Sequence, residues 1–132
     1  MEMQVSFPEN LEVVADFDGF TVETDQPVEV GGDGTAPQPF ALFLASIATC
    51  AGIYVLQFLR KRGLDTEQAG LALRSIRDTE TGLVGTVEID LRLPPEFPEK
   101  YRDAVVRAVN QCAVKRHLAM PPEFVVKTLV AA

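Results

Sequence analysis

PFALFLASIATCAGIYVLQFL, the stretch from Pro39 to Leu59, decides how this chain folds. It carries no charged side chain over twenty-one residues and then stops against Arg60-Lys61-Arg62-Gly63. Cys50, one of two cysteines in 132 residues, stands near its middle among Ser46, Ala48, Thr49, Ala51 and Gly52. Pro39 suits the first turn of a helix, where its missing N–H costs nothing. The stretch therefore predicts a helix from Pro39 to about Arg62, capped by Gly63, with three cations near the negative end of its dipole. A helix apolar on every side has to be enclosed, by lipid or by protein.

Length, absence of charge and the trailing cations would suit a bilayer span. Ser46, Thr49, Cys50 and Gln57 interrupt it, however, and the flanking segments are short and amphipathic. Such strands need a core, and this helix is the best one available. The expectation is a single α+β domain over residues 1–132, with the helix buried by antiparallel sheets rather than by a membrane. A chain of this size does not cover the helix completely, so a second copy is expected to finish the cover.

Working outward, residues 3–7, 11–17 and 20–24 read as strands. Pro8-Glu9-Asn10 separates the first two, and Asp18-Gly19 makes a hairpin turn between the second and third. Residues 25–38 form a turn-rich loop containing Gly31-Gly32-Asp33-Gly34. Its spacing fits neither a dinucleotide fingerprint nor a P-loop, and Asp33 repels phosphate; it reads as a flexible entry to the helix. After the helix, residues 70–77 alternate, with Leu71 and Leu73 on one face and Arg74 on the other. Thr79 to Gly82 turn the chain. Residues 83–93 then form a strand with Leu83, Val87, Ile89, Leu91 and Leu93 inward and Thr86, Glu88, Asp90 and Arg92 outward.

Pro98 opens a second helix. Tyr101, Ala104, Val105, Ala108 and Cys112 share one face of it, so the second thiol points inward. Residues 113–119 continue that helix until Pro121-Pro122, and residues 124–130 read as a last strand. Lys115 and Arg116 lie one turn from Cys112, close enough to favour its thiolate; as an ordinary pattern they are a solvated face, and His117 a surface residue.

The formal net charge is −7. Residues 1–59 hold nine acidic side chains and no Lys or Arg, while residues 60–132 hold all twelve basic ones against ten acidic. With no basic cluster beyond Arg60-Lys61-Arg62, nucleic acid is not an expected partner. The N-terminus MEMQVSF has neither a positive n-region nor an apolar h-region, which points to a reducing, cytoplasmic compartment and to free thiols. No His, Cys and carboxylate grouping at metal-ligand spacing stands out, and no cofactor motif. The thiols themselves could be small core hydrophobes.

Gly34-Thr35-Ala36-Pro37-Gln38-Pro39 leading into FALFLASIATCAG, with Gln111-Cys112-Ala113-Val114-Lys115-Arg116-His117-Leu118 later on, resembles the OsmC-like family, which includes the organic hydroperoxide resistance proteins. The likeness covers essentially the whole chain. It implies an intertwined homodimer, with antiparallel sheets wrapped around central helices and sites at the subunit interface. It also implies a chemistry, in which Cys50 is the peroxidatic thiolate that attacks an organic hydroperoxide. Cys112 is then the thiol that resolves the sulfenic acid, and a dithiol reductant, lipoylated in some relatives, restores both. An apolar surround for Cys50 suits a small apolar hydroperoxide.

The sequence also departs from the family. Catalytic relatives use an arginine from the N-terminal part of the chain, held by a glutamate near the start of the first helix. Here no arginine precedes Arg60, Phe40 and Ala41 stand where the glutamate is expected, and Ala113 replaces the proline after the second cysteine. Two functions are therefore open, a thiol peroxidase using Cys50 and Cys112, and a non-catalytic protein of the same fold that holds a small apolar or electrophilic ligand at the dimer interface.

Overall fold

A computed structural model describes residues 1–131. The chain divides into two compact units, residues 1–46 and residues 47 onward, with the division inside the long helix.

The first unit is a three-stranded antiparallel sheet followed by a pinned loop. Strand β1 (Gln4–Ser6) pairs with β2 (Val13–Phe17), and β2 with β3 (Phe20–Thr24). Asp18 and Gly19 both take positive φ, 48° and 82°, and place Phe17 opposite Phe20. That is the two-residue turn whose twist matches a hairpin. The loop after β3 is held rather than loose. Asp25 is buried, and its carboxylate accepts hydrogen bonds from the backbone of Gln26 (2.7 Å), Asp33 (3.3 Å) and Thr35 (3.0 Å) and from the Thr35 hydroxyl (2.8 Å). The Thr35 and Gln26 amides hold its pKa below the usual carboxylate value.

The long helix α1 (Pro39–Lys61) starts and stops where the sequence predicts, to within a residue. Its end is a Schellman motif. The Leu64 amide donates to the Leu59 carbonyl at 3.0 Å and the Gly63 amide to Arg60 at 3.2 Å, with Gly63 at φ 64°. Leu64 then packs onto the same apolar cluster as Leu59, which fixes the exit direction of the chain.

In the second unit a hairpin of β4 (Gly70–Arg77) and β5 (Val84–Arg92) packs at one end against α1. The core is Ala51, Val55 and Leu59, spaced i, i+4, i+8 on α1, together with Val109, and Leu71, Ile89 and Leu91 of the hairpin lie against it. Gly52 faces Leu71, and a Cβ there would meet it at 3.8 Å, an ordinary contact. Gly85 is the extra residue of a bulge, between the pairs Ile76–Thr86 and Arg77–Val84. Leu83, expected inward, is 69% exposed because the strand begins one residue later and Leu83 belongs to the turn.

Pro98 opens not a regular helix but a 3₁₀ turn, Glu99–Tyr101, that feeds α2 (Arg102–Val109). Phe97 and Tyr101 lie against Phe58 of α1, with centroids 6.2 and 6.1 Å away, and the Arg62 guanidinium sits 3.5 Å over the Phe58 ring. The chain does not continue as helix through Cys112. It tightens after Val109, with Gln111 and Cys112 donating to carbonyls three residues back, and restarts as α3 (Ala113–Ala119).

The expected last strand is absent, for residues 121–131 form neither helix nor strand. Phe124, Val126, Leu129 and Val130 are each more than 80% exposed. A strand exists only by pairing with an edge, and these residues pair with none among those described. Similarly, α1 is long and apolar enough to cross a membrane, yet only 28% of its most apolar window is buried.

Gly63→Ala should lower stability by about 1 kcal/mol, because a side chain there is held in the left-handed region. The urea midpoint at fixed protein concentration measures this, and a midpoint equal to the parent's would show that the cap does not terminate α1.

Candidate active site

Cys50 lies halfway along α1, and Cys112 lies at the junction of α2 and α3. The structure brings the two side chains together. The Cys112 thiol hydrogen-bonds to the Cys50 sulfur, and the backbone amides of Val114 and Ala113 are directed at the same atom. Cys50 is half-buried and Cys112 is fully buried, both as free thiols.

The break after Val109 makes this arrangement possible. In a continuous helix the amides of residues 113 and 114 would bond to carbonyls four residues back. With Cys112 standing outside the helix as its N-cap (φ −48°, ψ 129°), these two amides open a new helix and have no partner within it. They face Cys50 instead and lower its pKa. The Cys112 carbonyl meanwhile accepts the first bond of α3, from Arg116, at 3.0 Å.

These donors lower the Cys50 pKa from the usual thiol value. The Cys112 hydrogen bond is the largest cause and the Val114 amide the next, while burial opposes them; the Ala113 amide and the Lys115 charge add to the lowering. Lys115 thus acts on Cys50, across the junction from its own helix. Its ammonium donates to the Asn110 side chain at 3.1 Å, which holds it at the α2–α3 junction. Lys115 and Asn110 also line an apolar hollow of about 330 Å³ with Ile47, Ile89, Leu91 and Val109. Arg116 and His117 are exposed, and the His117 ring contacts the Ala113 carbonyl at 2.6 Å within its own helix.

A family model for OsmC-like proteins matches residues 32–127. The chain belongs to the OsmC-like family. No curated protein matches it by sequence. Among solved structures, this OsmC-like chain is similar to a Psychrobacter arcticus protein described as an osmotic stress induced and detoxification response protein. That likeness has TM-score 0.73 and 21% identity, over 86% of this chain and 85% of the other. It is also similar to an OsmC like protein from Mycoplasma pneumoniae (TM-score 0.70, 13% identity, 89% and 86% covered). A third is an organic hydroperoxide resistance protein OsmC from Legionella pneumophila (TM-score 0.54, 18% identity, 89% and 87% covered). At these identities the likenesses establish the α+β OsmC fold.

Sequence reasoning missed two features of the OsmC-like site. Asn110 gave no signal, since its role depends on the helix ending there. The amides of Ala113 and Val114 are backbone groups that no residue pattern reveals.

A lowered pKa means that, below the usual thiol value of about 8.5, Cys50 is thiolate to a greater extent than a free cysteine. Its alkylation rate should therefore rise with a midpoint below that value. Cys112→Ala should move the midpoint up more than Lys115→Met does, and Cys112→Ser, which keeps a donor, should move it least. Iodoacetamide kinetics across pH, with Cys50 labelling followed by mass spectrometry, measure all three. An unshifted midpoint in the parent would contradict the hydrogen-bond account.

Proposed function

We propose that this OsmC-like chain is a thiol-dependent reductase of organic hydroperoxides, with Cys50 as the attacking sulfur and Cys112 as the resolving one. The single observation that carries the proposal is the convergence of the Cys112 thiol and two backbone amides on Cys50. Core-filling cysteines have no need of such donors, because a neutral thiol packs as a small hydrophobe. A thiolate in an apolar surround does need them.

The chemistry balances as follows. The Cys50 thiolate attacks one oxygen of the peroxide bond, which breaks. Cys50 is oxidised to the sulfenic acid, and the leaving alkoxide takes a proton to become the alcohol. The Cys112 sulfur then displaces hydroxide, released as water, and a Cys50–Cys112 disulfide forms. An external dithiol in a reducing, cytoplasmic setting supplies two electrons and two protons and leaves as its own disulfide. The apolar hollow at Lys115 suits a small apolar substrate. In this chain Lys115, steadied by Asn110, stands in for the arginine that is not found before Arg60.

The proposal includes a homodimer. On α1 the exposed residues Ala45, Thr49 and Ile53 follow one another at i+4, on a stripe distinct from the core positions Ala51, Val55 and Leu59. A second copy covering that stripe would enclose the helix, as its apolar composition demands.

Cys50→Ser should abolish reduction of cumene hydroperoxide. Cys112→Ser should release about one alcohol per chain and then stop at a sulfenic acid that dimedone traps. A Cys50→Ser variant as fast as the parent would overturn the proposal in favour of a ligand-binding role. Ile53→Glu should shift the chain from dimer to monomer in light scattering, and a parent that is monomeric at micromolar concentration would remove the dimer.

A further inference from the structure

Two thiols that face each other are a pair of soft donors as well as a redox couple. The Cys112 thiol donates to the Cys50 sulfur, so one proton lies between the two sulfurs, and a metal ion bridging them would take that position. Among the described residues no third ligand joins the pair. The grouping of three convergent Cys, His, Asp or Glu side chains is elsewhere, at Glu12, Asp25 and Asp33 in the first unit. His117, the one imidazole of the chain, is exposed and turned to the Ala113 carbonyl. Thiolates favour zinc, iron–sulfur clusters and cuprous copper. A structural zinc takes four ligands and an iron–sulfur cluster four cysteines, so two sulfurs alone serve neither. Cuprous copper remains. Charge points the same way, since two thiolates and a monovalent ion sum to one negative charge, and the Lys115 ammonium supplies one positive charge beside Cys50. Asn110 holds that ammonium at 3.1 Å. Cys112 is fully buried and Cys50 half-buried, so the ion would enter past Cys50 into a site with little water.

From these observations we infer that Cys50 and Cys112 form a two-coordinate site for a soft monovalent cation, cuprous copper, with Lys115 balancing its charge. The inference uses the sulfurs of the reductase proposal but does not depend on their reacting with a peroxide. On binding, two sulfur–copper bonds form, any proton still on a sulfur passes to water, and no atom changes oxidation state. Lys115 and Asn110 are not ligands; they act as outer partners that tune the affinity of the pair. A sulfur bound to copper has no free thiolate with which to attack a peroxide, and a pair that holds copper cannot close a disulfide. Copper occupancy and the thiol redox cycle therefore exclude each other, and the ion is an inhibitor of the reaction proposed above.

Anaerobic titration of the reduced full chain with cuprous copper, in competition with the chromogenic chelator bicinchoninate, tests this, with X-ray absorption reporting the neighbours of the metal. One ion per chain with two sulfur neighbours is expected. Lys115→Met should weaken binding about tenfold or more, whereas Arg116→Met and His117→Ala should stay within about twofold of the parent. Cys50→Ser and Cys112→Ser should each lose the site. A cysteine variant can also lose its fold, so the parent itself is titrated after a methanethiosulfonate has blocked its thiols. The blocked parent should take up no copper and should recover uptake once the block is reduced off and the reductant removed. Uptake unchanged by the block, or affinity unchanged by Lys115→Met, overturns the inference. So does a nitrogen neighbour, a count of three or four sulfurs, or one ion per two chains, which would put the metal between copies. If copper binds as expected but Cys50→Ser still reduces cumene hydroperoxide, the metal site stands and the reductase proposal falls.

Discussion

A sulfur atom in a half-apolar setting is reactive only if donors compensate for what water would have supplied. Several features of the second unit of this OsmC-like chain bear on that requirement. The core stripe of Ala51, Val55 and Leu59 fixes the rotation of α1 and so the direction of Cys50. The hairpin packs on that stripe through Leu71, Ile89 and Leu91. The break between Val109 and Ala113 frees two amides and turns the Cys112 thiol towards the same point. Without the break, α3 would be one more turn of α2, and its first amides would be spent inside the helix.

The all-apolar character of α1 follows from the number of environments it meets. Along one stripe it faces the hairpin and α2, along a second it presents Cys50, and along a third it exposes Ala45, Thr49 and Ile53. Packing against the core keeps charge off the first of these stripes. A residue pattern that is apolar along all three looks the same as one that is apolar for lipid. Arg60 and Lys61 come only in the last turn, where the dipole is favourable.

Local signals were legible wherever a side chain or a glycine acts on its own backbone. Asp18-Gly19 set the first hairpin, and Gly63 ended α1 through a left-handed φ that other residues adopt at a cost. Alternation placed β4 and the inward residues Val87, Ile89 and Leu91. The failures have a common cause. Apolar spacing carried the second helix through Cys112, but the spacing of side chains does not report where backbone bonds stop. Residues 124–130 have the composition of a strand, but composition does not supply an edge to pair with.

Cys50 and Cys112 were singled out by sequence because thiols are rare here and each lies in an apolar helical pattern. Residue type and period were thus settled by the chain alone, along with the α+β class and the limits of its long helix, since these depend on bonds between neighbours. The meeting of the two sulfurs, the pair of amides aimed at Cys50 and the action of Lys115 on that same thiol were decided only in three dimensions. They depend on where the helical bonds stop after Val109 and on the packing of Val109 against Ala51, Val55 and Leu59, far away in the chain, which no local pattern encodes.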